Sequence, residues 1–231
     1  MYEFGRGVPQ DYAQALSWFR RAVVLSGCVR GGCRGIGDTA AMTNLGGMYL
    51  TGRGVPRDAA QALSWFRQAA DAGDTLAMAD LGAMSMSGQG VPRDYAQALA
   101  WFRKAAAAGN GFAMSNLGVM YTQGWGVPQD YAQAASWFRK ATATGDAGYA
   151  INYLGAMYLK GLGVPQDYAQ ALTWFRKGAA LGNAVAMRNL GFMYENGLGL
   201  PRDDAQAASW YRKAADAGDT SAGEQLRRLG H

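Results

Sequence analysis

The stretch G-W-G-V-P-Q-D-Y-A-Q-A-A-S-W-F-R-K-A, residues 124 to 141, recurs along the chain and decides its fold. Its second tryptophan has five counterparts, at spacings of 47, 36, 36, 37 and 36 residues. These tryptophans are Trp18, Trp65, Trp101, Trp137, Trp174 and Trp210. A fixed period of this size predicts stacked supersecondary units that are each built from the same elements.

Every copy carries a helix start signal. The six prolines of the chain share the spacing of the tryptophans, and an acid follows each proline two residues later. These acids are Asp11, Asp58, Asp94, Asp130, Asp167 and Asp203. A glutamine three residues further on completes a capping-box pattern. The helix that follows, here called helix B, is predicted over Asp130 to Ala143 in the clearest copy. The side chains that we expect to be buried there are Ala134, Trp137, Phe138 and Ala141.

A second helix, here called helix A, precedes helix B in each unit. Its predicted N-caps are Asp38, Asp74, Asn110, Asp146, Asn183 and Asp219. Helix A contains a Leu-Gly pair at 45–46, 81–82, 117–118, 154–155 and 190–191. A glycine inside a helix costs roughly 1 kcal/mol. We therefore expect a neighbouring helix to approach closely at each pair.

The combined pattern A-x-x-x-N-L-G-x-M-Y-x-x-G-x-G-V-P-x-D-Y-x-x-A-x-x-W-F-R-K-A-A resembles the Sel-1-like repeat (SLR) of the tetratricopeptide-like superfamily. The resemblance covers nearly the whole chain. It implies an all-α fold, an α/α solenoid of about six helix-turn-helix repeats wound as a right-handed superhelix. The A helices would line a concave groove and the B helices would form the outer wall. Members of the family mostly act as adaptors or scaffolds for proteins or peptides.

One solenoid domain is expected over residues 1–231, with an incomplete first repeat at 1–25, an insertion loop at 26–36 and full repeats from 38. A polar capping helix over 219–231 ends the array, because Arg227 replaces the glycine of the Leu-Gly pair. The start of the chain aligns with the sequence from Met193, so most of the first helix A is missing. Either the chain is a fragment of a longer protein or the array starts on a half repeat.

The insertion loop holds both cysteines, Cys28 and Cys33. The only histidine, His231, is at the far end of the chain, so a zinc site is not expected. Free thiols in a tolerated insertion, a disulfide in an oxidising compartment and a low-pKa thiol all stay open. The compartment stays open as well. No signal peptide is present in this chain, and a periplasmic or secreted location remains open if the N-terminus is a truncation.

The net charge of +5 arises from 22 bases and 17 acids. Ten of the acids are the predicted caps, and one arginine per repeat follows the Trp-Phe or Trp-Tyr pair near the end of helix B. Such charges match helix dipoles, so a nucleic-acid partner is not expected. No apolar run approaches the roughly 20 residues of a membrane span. The oligomeric state is not predicted.

Catalysis has little support in the residues, and no enzyme, cofactor or metal is expected. The resemblance implies weak β-lactam binding or hydrolysis as one alternative function. However, the serines of the repeat begin S-W-F-R or S-W-Y-R, whereas the penicillin-binding motif is S-x-x-K. The G-x-G pairs follow a helix and recur in every repeat, so they are interpreted as turn glycines.

Binding of a protein or peptide in the groove is the favoured function, with an architectural spacer as the alternative. The resemblance places groove-facing residues five and two positions before the repeated leucine and two, five and six after it. The candidate groove residues are Phe112, Asn116, Val119, Tyr149, Asn152, Arg188, Phe192 and Asn196. Asn116, like Asn44 and Asn189, precedes its leucine directly, where either ligand clamping or helix capping is possible. A possible second apolar edge consists of Trp125, Leu162 and Leu198.

Overall fold

The computed structural model describes residues 11–25, 36–145 and 148–230, which contain twelve α-helices and no strand. The B helices are α1 (Tyr12–Leu25), α3 (Ala59–Asp71), α5 (Tyr95–Ala107), α7 (Tyr131–Ala143), α9 (Tyr168–Ala180) and α11 (Asp204–Asp216). The A helices are α2 (Ile36–Thr51), α4 (Thr75–Ser87), α6 (Gly111–Gln123), α8 (Ala150–Lys160), α10 (Ala184–Asn196) and α12 (Thr220–Arg228). The all-α prediction is confirmed. Cys28 and Cys33 lie outside the described residues.

The predicted caps start most of these helices. On the B helices, the Asp130 carboxylate accepts from the Gln133 N–H at 2.9 Å, and the other copies repeat this bond. On the A helices, Asp74, Asn110, Asn183 and Asp219 act in the same way. One predicted cap is wrong, because α2 begins at Ile36 and Asp38 lies inside it. Asp146 is outside the described residues.

The chain divides into two compact units, and each consists of consecutive helices packed in sequence. The first unit comprises residues 1–114 and 125–127, and the second comprises 115–124 and 128–231, so α6 begins in the first unit and ends in the second. In the first unit α1 to α5 pack each against the next, as α7 to α12 do in the second. Pairing of neighbours along the chain is the packing that a helical repeat array requires.

An aromatic ring of helix B packs against the glycine of the Leu-Gly pair in each repeat. The rings are Phe66, Phe102, Phe138, Phe175 and Tyr211, and none is more than 1% exposed. A Cβ atom added to the paired glycine would lie 2.4 to 2.7 Å from the nearest ring atom in all five copies. The expected close approach of a neighbouring helix is confirmed, and its cause is a ring that needs the space of a missing methyl group.

The tryptophan before that ring is less buried than its repetition predicts. Ala134, Phe138 and Ala141 are fully buried, whereas Trp137 is half-buried, so its assignment to the core is wrong. Successive helical residues are about 100° apart, so Trp137 and Phe138 cannot both face the glycine. The Lys140 ammonium lies 4.2 Å from the Trp137 ring centroid, a cation–π contact that recurs on α5, α9 and α11.

The basic residue in the last turn of helix B is a lysine. Lys140 occupies that turn in α7, as its counterparts do in α5, α9 and α11. The arginine before it was expected there. Instead, the Arg139 guanidinium donates to the hydroxyl of Tyr158 on the next A helix at 3.0 Å. Arg20 makes the equivalent 2.7 Å bond to Tyr49, so this arginine links helices as well as carrying charge.

Candidate functional site

The first unit exposes large apolar side chains at the beginning of its A helices. Leu76 on α4 is 61% exposed and Phe112 on α6 is 39% exposed. Both stand five residues before the repeated leucine, Leu81 or Leu117, so they hold the same place in successive repeats. Most large apolar side chains in repeat arrays are buried by packing between neighbouring repeats. Leu76 and Phe112 therefore present apolar surface to solvent in the same register of successive repeats.

The second unit exposes an aromatic ring on α10. Phe192 is 42% exposed, although it stands only two residues after the fully buried Leu190. Asn196, one turn later, is also exposed, and its amide donates to the Phe192 carbonyl at 2.8 Å. Val119 occupies the position of Phe192 on α6 and is half-buried. Phe192 and Asn196 thus place an apolar and a polar group on one exposed helix face.

Three other predicted groove residues are engaged inside the protein. Asn116 is only 4% exposed. The Asn152 amide donates at 2.7 Å to the side chain of Asn183, which caps α10. The Arg188 guanidinium forms a 2.8 Å ion pair with Asp219, which caps α12. Asn152 and Arg188 share one register, two residues before the leucine, and there each ties its helix to the cap of the next A helix.

Tyr149 lies in an aromatic cluster of the second unit. Its ring meets Tyr153 edge-on with the centroids 5.9 Å apart, and Tyr153 stacks on Phe138 at 4.8 Å. Tyr149 immediately precedes α8 and is half-buried. Its ring therefore contributes to packing of α8 and presents only part of its surface to solvent.

The positions proposed as a second edge cover the starts of B helices. In the first unit Trp125 stacks on Tyr95 with centroids 5.3 Å apart. The next residue, Gly126, has a φ of +70°, and a Cβ atom there would lie 2.8 Å from the Tyr95 carbonyl oxygen. Leu162 and Leu198, the counterparts of Trp125 in the second unit, are half-buried. The glycine lets the turn approach the helix backbone, and the residue before it packs on the same helix.

An acidic residue that the sequence reasoning missed lies on α4. Asp80 is half-buried, and within the described residues its carboxylate makes no hydrogen bond or ion pair. Burial, and secondarily the charge of Asp74, raises the pKa of Asp80 from 3.8 to about 6. The available signal was its register, because Asn44, Asn116 and Asn189 stand at the same position in other copies.

A second polar cluster joins α10, α11 and α12 in the second unit. The buried Glu195 carboxylate accepts from the Tyr211 hydroxyl at 2.7 Å and pairs with the Arg228 guanidinium. Burial, followed by the contact with Glu195, raises the pKa of the Tyr211 hydroxyl, so it stays protonated as the donor. The cluster fixes the last helix to the repeat before it, as expected for an end cap.

A cavity of about 380 Å³ lies between the turns that precede α8 and α10. Its lining consists of Ile151, Leu181, Asn183 and the glycines at 145, 148, 178 and 182. The Asn183 side-chain oxygen already accepts from the Ala186 N–H and from Asn152. The walls therefore offer mainly apolar contact and backbone to an occupant.

Nowhere in residues 11–25, 36–145 and 148–230 do three or more His, Cys, Asp or Glu side chains come together in a way that could hold a metal ion. None of the helices described above combines the length and apolarity that crossing a membrane requires. The candidate site is the exposed A-helix surface in each unit, because Leu76, Phe112 and Phe192 are exposed there.

Comparison with known proteins agrees with this architecture. Six stretches match the Sel1 repeat family, at residues 1–23, 39–74, 75–110, 111–146, 148–183 and 184–219. No curated protein matches the chain.

Solved structures give a similar result. A Sel1 repeat protein from Oxalobacter formigenes is 34% identical over 94% of this chain and 84% of its own, with a TM-score of 0.82. The antigen c5321 of uropathogenic Escherichia coli, described as a protective antigen with an SLR fold, is 38% identical over 99% of this chain, with a TM-score of 0.78. This chain spans 46% of that antigen. The chain belongs to the Sel1 repeat family and folds as an all-α solenoid.

Proposed function

We propose that this protein is a non-enzymatic adaptor that binds a protein or peptide through the exposed faces of its A helices. Sel1 repeat proteins generally mediate protein–protein interactions and are generally non-enzymatic. For this chain we propose that the ligand is a protein or peptide, that the A helices bind it and that the chain has no enzymatic activity.

The distribution of exposed apolar side chains carries the proposal. Leu76, Phe112, Val185 and Phe192 are all exposed, and all lie on A helices. Among the described B helices, α1 also exposes Trp18 and Val24, whereas no large apolar side chain is exposed within α3, α5, α7, α9 or α11. Aromatic and aliphatic side chains are the usual anchors of protein interfaces. From α3 to α11 the exposed large apolar side chains within helices therefore lie on A helices, which favours a ligand-binding role of these helices over a scaffold without a ligand.

The experiment compares capture of a partner by matched variants. The wild-type protein, Phe192→Ala and Arg176→Ala would be immobilised and exposed to lysate of the native host, and retained proteins would then be purified and titrated individually. Arg176 is the control because it is exposed on α9 and makes no hydrogen bond or ion pair in the part of the chain described by the structure. We expect Phe192→Ala to lower the affinity about tenfold or more, equivalent to about 1.4 kcal/mol.

The control should bind as wild type does, and both variants should keep the wild-type melting temperature. Equal affinity for Phe192→Ala and wild type would move the contact away from α10. Absence of any specific partner would favour the spacer.

A further inference from the structure

Asp80 carries a partly buried carboxylate that no group in the described part of the protein pairs with. It lies in the middle of α4 and is half-buried, and throughout the described residues no cation or hydrogen-bond donor reaches it. The buried Glu195, in contrast, is bonded to both Tyr211 and Arg228. Even partial removal of a carboxylate from water without pairing it is unfavourable, so such a residue requires an explanation.

The repeat architecture does not require an acid at this position. The equivalent residues, each directly before the repeated leucine, are Asn44, Asn116, Tyr153 and Asn189. Asparagine, of nearly the same shape, occupies this position in three of the other five A helices, and α12 has Gln225 there. Aspartate also has a low intrinsic preference for helix interiors. The carboxylate is therefore a local departure whose benefit must come from something other than folding.

Asp80 remains available as an anion at neutral pH. The carboxylate of its neighbour Asp74 is occupied as a helix cap, since it accepts from the Leu76 and Ala77 N–H groups at 2.9 Å. The raised pKa of Asp80, about 6, reflects burial first and the Asp74 charge second. Above that pH the site holds a partly desolvated negative charge, and such a charge attracts a cation more strongly than an exposed carboxylate does.

The side chains around Asp80 on α4 fit an aliphatic stem. Leu76, Asp80, Ala83 and Ser87 are spaced by four, three and four residues, so they share one helix face. Leu76 is 61% exposed, one turn from Asp80. Ala83 and Ser87 are small, whereas the residue at the position of Ala83 on α10 is Phe192. This face thus combines an exposed apolar side chain, a carboxylate and two small side chains.

We propose that Asp80 binds a basic side chain of the partner, an arginine or a lysine, whose aliphatic stem lies over Leu76. Both residues have an apolar stem and a charged head, which suits an apolar surface next to an anion. Arginine can also form two parallel hydrogen bonds with a carboxylate. This inference rests on the proposed function, because it specifies what the A-helix surface selects.

Peptide pools test the inference directly. Immobilised peptides would have one central residue fixed as arginine, lysine, glutamine or norleucine, with every other position randomised. The proteins compared are wild type, Asp80→Asn, Leu76→Ala and Asp71→Asn. Asp71→Asn removes the same charge from an exposed position at the end of α3 and serves as the matched control.

We expect wild type and Asp71→Asn to retain the arginine and lysine pools about tenfold more strongly than the glutamine pool, because a desolvated ion pair at an interface has a large effect on affinity. Asp80→Asn should lose this preference. Leu76→Ala should weaken the basic and norleucine pools together. The melting temperature of Asp80→Asn should be no lower than that of wild type, so unfolding would not explain the loss.

Equal retention of the basic pools by wild type and Asp80→Asn, including no retention by either, would overturn the inference. The native partner separates this failure from failure of the proposed function. Loss of partner on Phe192→Ala with full binding by Asp80→Asn would leave the adaptor function standing and remove only the role of Asp80. Full partner binding by both variants would contradict the A-helix surface itself.

Discussion

Phe138 lies so close to Gly118 that no other residue fits at position 118 without movement of the ring. A Cβ atom there would be 2.5 Å from Phe138 Cε1, and the ring is fully buried. The same contact recurs in five repeats, so it is the unit from which the core is built. The glycine, which is unfavourable inside a helix, is compensated by the burial of an aromatic ring.

The first prediction concerns this contact. Gly118→Ala should lower the free energy of unfolding by about 1 to 3 kcal/mol, because the added methyl group overpacks the core. Gly47→Ala is the control, since Gly47 lies in α2 with nothing within 4 Å of its added Cβ. There alanine should stabilise by up to about 1 kcal/mol through helix propensity. Urea unfolding measures both, and stabilisation of equal size in the two variants would show that helix propensity, not contact with the ring, governs position 118.

The second prediction compares the two aromatic residues of one helix B. Phe138→Ala should cost about 3 to 5 kcal/mol, because it empties a fully buried site. Trp137→Ala should cost about 1 to 2 kcal/mol, since the tryptophan is half-buried and its cation–π contact with Lys140 is partly solvated. Chemical denaturation of the two variants decides the order. A larger loss of unfolding free energy for Trp137→Ala than for Phe138→Ala would show that Trp137 is a core residue.

The third prediction is a pH dependence that originates at Asp80. Because the folded-state pKa is raised from 3.8 to about 6, the contribution of protonated Asp80 is fully present below pH 3.8 and is lost as the pH rises through about 6. Asp80→Asn should therefore be more stable than wild type at neutral pH, by up to about 3 kcal/mol. The difference should shrink toward zero near pH 3.8.

Thermal unfolding across this range, with the Asp80 carboxyl followed by carbon NMR, measures the effect. Asp71→Asn, at an exposed site, should show no such pH-dependent gain. A constant difference between Asp80→Asn and wild type at every pH would contradict ionisation as the cause.

The fourth prediction concerns the end cap. Tyr211→Phe removes the donor to the buried Glu195 carboxylate and should cost about 1.5 to 3 kcal/mol, the usual range for a hydrogen bond to a charged group. Phenylalanine is nonetheless the residue at this position in the five other repeats. Adding Glu195→Leu, which matches Leu159, should recover most of the loss, because a polar pair can often be replaced by apolar residues at little cost.

A double-mutant cycle in urea provides this measurement. If the double variant is less stable than Tyr211→Phe, Glu195 must stabilise the cap through Arg228 instead.

The repeat, the two helices of each unit and most of their caps are predictable from the amino-acid sequence. These features depend on local chemistry, namely an acid before a helix, a glycine after it and apolar residues at helical spacing, all repeated at one period. The sequence also indicates that glycines such as Gly118 need a close neighbour, because a helix-interior glycine has a local cost that something else must offset.

Tertiary structure alone decided which groups fill the space between helices and which face solvent. Whether Trp137 or Phe138 is buried in the core depends on how helix B is rotated about its axis relative to Gly118. The periodic sequence pattern does not distinguish between these two adjacent residues. Arginine is a residue type that is common in interfaces, but Arg188 forms an ion pair with Asp219, the N-cap of α12. From its residue type Asp80 is expected to be an ordinary surface acid. Only the fold shows that it is partly buried and that no cation among the described residues pairs with it. Ion pairing and burial depend on contacts between residues that are far apart in the chain, so no local sequence pattern can specify them.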